Sequence, residues 1–141
     1  MNNSEPIIVI DGDRDKQYLM GEVFLRLNYK NKIIYFEDGA QAFEYLISSN
    51  ERPFLIISDV NTARLTGLEL KEKINSDEKL RLKCIPYIFL TTSALPSDIM
   101  NVYSNFVQGF FVKPNSMDTL SNTIKIIMEY WKQCIAPSEY D

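Results

Sequence analysis

Five short apolar runs, each cut off by a polar or small residue, constrain this chain more than any other feature. They are Ile7-Ile8-Val9-Ile10, Ile33-Ile34-Tyr35-Phe36, Phe54-Leu55-Ile56-Ile57, Tyr87-Ile88-Phe89-Leu90 and Gly109-Phe110-Phe111-Val112. A strand with one wet face alternates apolar and polar residues. An unbroken run is apolar on both faces and fits a strand covered by helices on both sides. The segments between the runs carry apolar residues at helical spacing. Helices are predicted over about 14–28 (Tyr18, Val23, Leu25, Leu27), 39–49 (Ala42, Phe43, Leu46, Ile47), 67–76 (Leu68, Leu70, Ile74), 97–107 (Ile99, Val102, Tyr103, Phe106) and 116–133 (Leu120, Ile124, Ile127, Met128, Trp131). Ser116 suits the N-cap of the last. Five successive strand–helix units predict an α/β fold: an open five-stranded parallel sheet with helices on both faces.

Size and charge narrow the function. At 141 residues the chain is one domain's worth, with a core over about 6–133 and a short tail over 135–141. With 45% apolar and 24% charged residues, neither a disordered chain nor a disulfide scaffold is expected. A net charge of −4 lacks the basic footprint of a nucleic-acid binder. No stretch approaches a membrane span, and Met1-Asn2-Asn3-Ser4-Glu5-Pro6 lacks the regions of a signal peptide, so a cytoplasmic location is expected. There is no histidine, hence no histidine base, metal ligand or phosphocarrier. Cys84 and Cys134 read as inert thiols.

In such a sheet the chemistry sits at the carboxyl ends of the strands. The first run ends in Asp11-Gly12-Asp13, the third in Ser58-Asp59, the fourth in Thr91-Thr92, and the fifth in Lys113-Pro114. Any one of these is unremarkable, since a carboxylate at a strand end often caps a helix. Together, carboxylates, a hydroxyl and an ammonium at one edge suit phosphoryl transfer to a carboxylate. Acidic oxygens hold Mg²⁺, the cations neutralise phosphoryl charge, and a hydroxyl donates to a phosphoryl oxygen.

These motifs, in order and separated by 48, 32 and 22 positions from Asp11 to Asp59, Thr91 and Lys113, resemble the receiver domain of two-component response regulators. The resemblance runs from about Pro6 to Gln133 and implies the (βα)5, flavodoxin-like architecture of the CheY-like family. Thr91-Thr92-Ser93, Lys113-Pro114-Asn115-Ser116 and Tyr130-Trp131 look most like stand-alone receivers. The resemblance implies that Asp59 is the phosphoacceptor, with a histidine kinase or phosphotransfer protein as donor. Asp11, Asp59 and the Asn61 backbone carbonyl would bind Mg²⁺. Thr91 would hydrogen-bond the phosphoryl group, and Lys113 would contact that group or Asp59, with a cis Lys113–Pro114 bond. Phe110 holds the place of the aromatic switch residue. Asn61 and Ser93 hold places where dephosphorylation is tuned. The output would pass to a protein, since no segment remains for an output domain. The implied enzymology is self-phosphorylation and self-dephosphorylation at most.

Gly12 departs from the pattern, because an acidic pair normally follows the first strand. Weakened Mg²⁺ binding is therefore expected. Asp13 has two readings, a compensating metal ligand or the cap of the first helix. Thr62-Ala63 stands where Met-Pro is common, and Phe110 reads equally as a switch or a core residue. Tyr130 and Trp131 read as packing for the last helix, although an exposed aromatic pair would fit a homodimer. Lys71 to Lys83 alternates in charge and reads as a solvated face. Two other functions compete. One is a degenerate receiver, an interaction module that no longer accepts phosphate. The other is a phosphatase resembling the haloacid dehalogenases, with Asp11 as nucleophile and Asp13 as acid/base. That reading leaves Asp59 unexplained.

Overall fold

The computed structural model describes residues 5–60, 62–91, 96–104, 106–114 and 116–135, with backbone alone at 96–98 and 102. The elements run β1 (Ile7–Ile10), α1 (Arg14–Leu27), β2 (Ile33–Phe36), α2 (Gly39–Ser48), β3 (Leu55–Ser58), α3 (Gly67–Ser76), α4 (Glu78–Arg81), β4 (Tyr87–Thr91), α5 (Pro96–Ser104), β5 (Gly109–Val112) and α6 (Met117–Gln133). The strands form one sheet in the order β2-β1-β3-β4-β5, and every neighbouring pair is parallel. The chain leaves β1 in one direction for β2 and returns to its other side for β3. That reversal opens a crevice at the carboxyl ends of β1 and β3.

Alternate side chains of the central strands feed opposite faces. Ile7, Val9, Leu55, Ile57, Ile88 and Leu90 meet α1 and α6. Ile8, Ile10, Ile56, Tyr87 and Phe89 meet α2 and α3. The unbroken runs fit that placement for β1, β3 and β4, which are wholly buried. The edge strand β2 is half-buried and β5 nearly so, because each has one neighbour and partial helix cover.

Helix starts follow side-chain caps. Asp13, Asp38, Thr66 and Ser116 each accept a backbone N–H at the start of α1, α2, α3 and α6, and Thr66 with Glu69 forms a reciprocal capping box. Across the first face, Arg26 pairs with Asp118 at 2.7 Å, and Tyr29 donates to Glu129 at 2.6 Å. That bond, after burial of the phenol, pushes the Tyr29 hydroxyl above its ordinary acidity range.

Four sequence expectations change. The helix predicted over 97–107 stops at Ser104, because Phe106 adopts φ 61° and donates its N–H back to Tyr103. Tyr18 and Leu25, counted in the apolar face of α1, are exposed; Met20, Val23 and Phe24 make the buried stripe instead. The charged run 71–83 contains an unforeseen short helix, α4, capped by Asp77. Lys71 is buried at 6% exposure, with its Nζ 5.6 Å from the Tyr87 ring centroid. Burial lowers its pKa. The tail beyond residue 135 lies outside the described residues. No helix among the described residues is long and apolar enough to cross a membrane.

Candidate functional site

The site begins with strand register. Ile10 pairs with Ser58, so the residues that follow, Asp11 and Asp59, emerge side by side at the crevice. Asp59 N–H donates to the Ile10 carbonyl at 2.9 Å, and Asp11 N–H to the Phe36 carbonyl at 3.0 Å. The ladder thus continues one residue past the strands and fixes both backbones. Thr91 ends β4 next to β3, and its hydroxyl donates to Asp59 Oδ1 at 3.1 Å. Lys113 follows β5, where its N–H bonds the Thr91 carbonyl at 2.5 Å. From there the Lys113 ammonium reaches Asp11 Oδ2 at 2.8 Å, with both side chains less than a tenth exposed. Four strands therefore bring together the four residues the strand ends singled out.

Asp11 is held at every polar atom. Its Oδ1 accepts the Asp13 N–H at 3.0 Å, and its carbonyl accepts Gln17 Nε2 at 2.7 Å. Asp13 resolves to the cap: it is exposed, and its Oδ1 accepts the Asp15 N–H at 2.9 Å. That bond engages one carboxylate oxygen at the helix N-terminus, as the cap reading expects. Lys113 thus reaches across the crevice from the end of β5 to the residue that follows β1. The Lys113–Pro114 bond is trans, not cis. Trans is the ordinary preference of X–Pro bonds by about 0.5–1 kcal/mol. Asn61 and Ser93 lie outside the described residues.

Phe110 is half-buried and packs on the α2–α3 side of the sheet, its ring centroid 6.2 Å from that of Phe89. Trp131 packs against the α1–α6 core, while Tyr130 stays 63% exposed, edge-on to Trp131 at 5.0 Å.

The β3–α3 segment is tied down behind Asp59. Arg64 Nε donates to the buried Asp38 at 2.9 Å, and Gly39 N–H and Thr62 Oγ1 both donate to the Leu65 carbonyl. Burial works to raise the Asp38 pKa. Hydrogen bonds from the Gln41 and Ala40 N–H groups and the Arg64 guanidinium outweigh it, leaving that carboxyl below its ordinary range. Gly67 closes the segment, its N–H on the Val60 carbonyl at 3.1 Å and its own carbonyl accepting from the Tyr87 hydroxyl at 2.7 Å. Neither Gln17 nor Arg64 was legible as a site residue; Asp38-Gly39 before an apolar-periodic segment carried a cap signal, but its partner did not.

The donor set fits a hard divalent cation. Mg²⁺ takes one or two carboxylates and keeps several waters, and Asp11 and Asp59 are two such carboxylates on adjacent strand ends. Among the described residues no third acidic or sulfur ligand joins them.

The response regulator receiver domain model matches residues 7–125. A curated relative, "Probable methanogenesis regulatory protein FilR2" of Methanothrix harundinacea, is 30% identical over 89% of this chain and 82% of its own length. The crystal structure of the phosphorylated cyanobacterial phytochrome response regulator RcpA superposes with a TM-score of 0.84 at 26% identity, covering 95% of this chain and 99% of that one. The Mn²⁺-bound form of response regulator Rcp1 gives a TM-score of 0.81 at 24% identity, covering 94% and 99%.

Proposed function

The chain belongs to the response regulator receiver family, and from that premise we propose that it accepts a phosphoryl group on Asp59 and thereby changes the surface it offers to a protein partner. The observation that carries the proposal is the convergence of Asp59, Thr91, Asp11 and Lys113, with Thr91 Oγ1 3.1 Å from Asp59 Oδ1 and Lys113 Nζ 2.8 Å from Asp11 Oδ2. The donor is a phosphohistidine of a histidine kinase or phosphotransfer protein. An Asp59 carboxylate oxygen attacks phosphorus, the O–P bond forms, the P–N bond breaks, and the imidazole leaves with the electron pair. Asp11 and Asp59 would hold Mg²⁺, which when bound would neutralise charge on the phosphoryl oxygens.

Lys113 adds a fixed positive charge from a nearly dry position, where it acts more strongly than in water. The Thr91 hydroxyl is already aimed at Asp59 and can turn its proton to a phosphoryl oxygen. That shift, at the end of the strand whose Phe89 packs against Phe110, biases the β4–β5 edge between two arrangements. Exposed Tyr103, Phe106, Val112 and Tyr130 supply apolar area for a protein contact, either a downstream target or a second copy.

Gly12 favours one second reading, an interaction module that holds the fold without accepting phosphate. Intact mass after incubation with acetyl phosphate, with and without Mg²⁺, separates the two. One added phosphoryl group that requires both Mg²⁺ and Asp59 is expected, and Asp59→Asn abolishes it. No adduct under any condition, with beryllofluoride also failing to bind, selects the interaction module.

A further inference from the structure

The turn between β1 and α1 is three residues, Asp11-Gly12-Asp13, and its centre is an exposed glycine. Glycine has the most conformational freedom to lose, so a carboxylate beside it needs outside restraint to stay aimed at a metal. Asp11 is only 5% exposed, and its carbonyl lies past the end of the β1 ladder, where a buried acceptor must find a donor. That donor is Gln17, one turn into α1, with Nε2 2.7 Å from the oxygen. The Gln17 backbone N–H meanwhile bonds the Asp13 carbonyl at 3.0 Å in the helix. One residue therefore grips the turn on both sides of Gly12.

The other restraints on Asp11 differ in kind. Lys113 and the Asp13 N–H hold the carboxylate oxygens themselves, the atoms a cation must claim. Gln17 holds only the backbone, so its bond persists when a cation binds.

We propose that Gln17 is a positioning residue for the acidic pocket, its carboxamide bond to the Asp11 carbonyl supplying the rigidity that Gly12 withholds. This rests on the phosphoacceptor reading, so the test measures metal binding to the unphosphorylated protein. Mg²⁺ affinity is measured by calorimetry on the wild type, Gln17→Met, Gln17→Asn and each of these combined with Gly12→Ala. Methionine keeps the shape and loses the donor; asparagine keeps the donor and is one methylene too short. Losing one such bond is expected to weaken Mg²⁺ about 3- to 10-fold. Gly12→Ala is expected to restore much of that loss. Its added Cβ meets nothing closer than the Glu37 carbonyl at 3.5 Å, and Gly12 does not have positive φ.

A purely structural role for Gln17 lowers thermal stability without moving Mg²⁺ affinity and gives Gly12→Ala nothing to rescue. Wild-type Mg²⁺ affinity in both Gln17 variants, with Asp11→Asn abolishing binding, overturns the positioning role and leaves the phosphoacceptor reading standing. A wild type that binds no Mg²⁺ overturns both. If Gln17→Met fails to fold, Gln17→Asn decides alone.

Discussion

Gly67→Ala is expected to damage both stability and phosphorylation. An alanine Cβ at position 67 would overlap the Asp59 carbonyl oxygen and lie 2.6 Å from Ser58 Oγ and 2.7 Å from Phe89 Cε1. None of these neighbours can yield easily. Asp59 is bonded through its N–H to Ile10, its carbonyl accepts the Ser58 hydroxyl at 2.8 Å, and Phe89 is fully buried. Gly67 does not have positive φ, so the cost is one of space and not of backbone conformation. Against it stands the gain from alanine in a helix, at most about 1 kcal/mol and smaller in the first turn. Overpacking costs about 1–3 kcal/mol, and rigid neighbours place this site at or beyond the upper end. The net loss is about 2–3 kcal/mol, which lowers Tm by roughly 6–10 °C in a chain of this size. The overlap also displaces the Asp59 backbone, and with it the carboxylate that Thr91 bonds. A misplacement approaching 1 Å at a reacting group costs up to about 100-fold in rate. Urea unfolding followed by circular dichroism reads the first effect, and the rate of acetyl phosphate labelling by intact mass reads the second. Gly12→Ala, whose Cβ makes only an ordinary contact with the Glu37 carbonyl at 3.5 Å, serves as the stability control. A Gly67→Ala protein as stable as that control and labelled at the wild-type rate would refute the close-packing argument.

Gly12→Asp is expected to tighten Mg²⁺ binding measured by calorimetry, because it adds a carboxylate at an exposed position with room for its Cβ. Unchanged affinity would remove the glycine as the cause of weak binding. Asp38→Asn is expected to destabilise the protein at neutral pH. The wild-type advantage is complete above the ordinary carboxylate pKa of 3.8 and fades as pH falls through the lower folded value. Urea midpoints of the two proteins should therefore converge as pH falls below 3.8, and a gap independent of pH would count against the ion pair. Arg52→Ala is expected to cost about 2–3 kcal/mol in urea unfolding. The guanidinium bonds the Lys83 and Cys84 carbonyls at 2.7 and 2.9 Å and faces the part-buried Glu5 at 3.5 Å, so its loss strands Glu5 and the Lys83 carbonyl. A loss below about 0.5 kcal/mol, the range of ordinary surface changes, would show that water replaces those bonds.

Much of the fold was written in local pattern. Each apolar run became a strand within a residue of its expected bounds, and the three central ones are buried on both faces as their unbroken apolar pattern requires. Ser116 capped its helix as its side chain predicted, and Asp11, Asp59, Thr91 and Lys113 met because a parallel sheet delivers every strand's carboxyl end to one edge. That argument needs only order and spacing. It could not say that Lys113 would reach Asp11, since that turns on where the β5 end aims a long stem.

What the sequence by itself determined, then, is the fold and the edge where its polar strand ends gather. The tertiary structure alone decided how that edge is held. Lys71 reads as one more charge in a solvated run, yet the packing of α3 buries it over Tyr87. Gln17 is an ordinary polar residue on a helix until β1 ends beneath it with an unpaired carbonyl. Arg64 and Asp38 are 26 positions apart, and their bond at 2.9 Å exists only because two loops meet behind Asp59. Local periodicity encodes which face of an element is apolar. The partner of a single polar atom depends on how several elements pack at once, and no window along the chain contains that information.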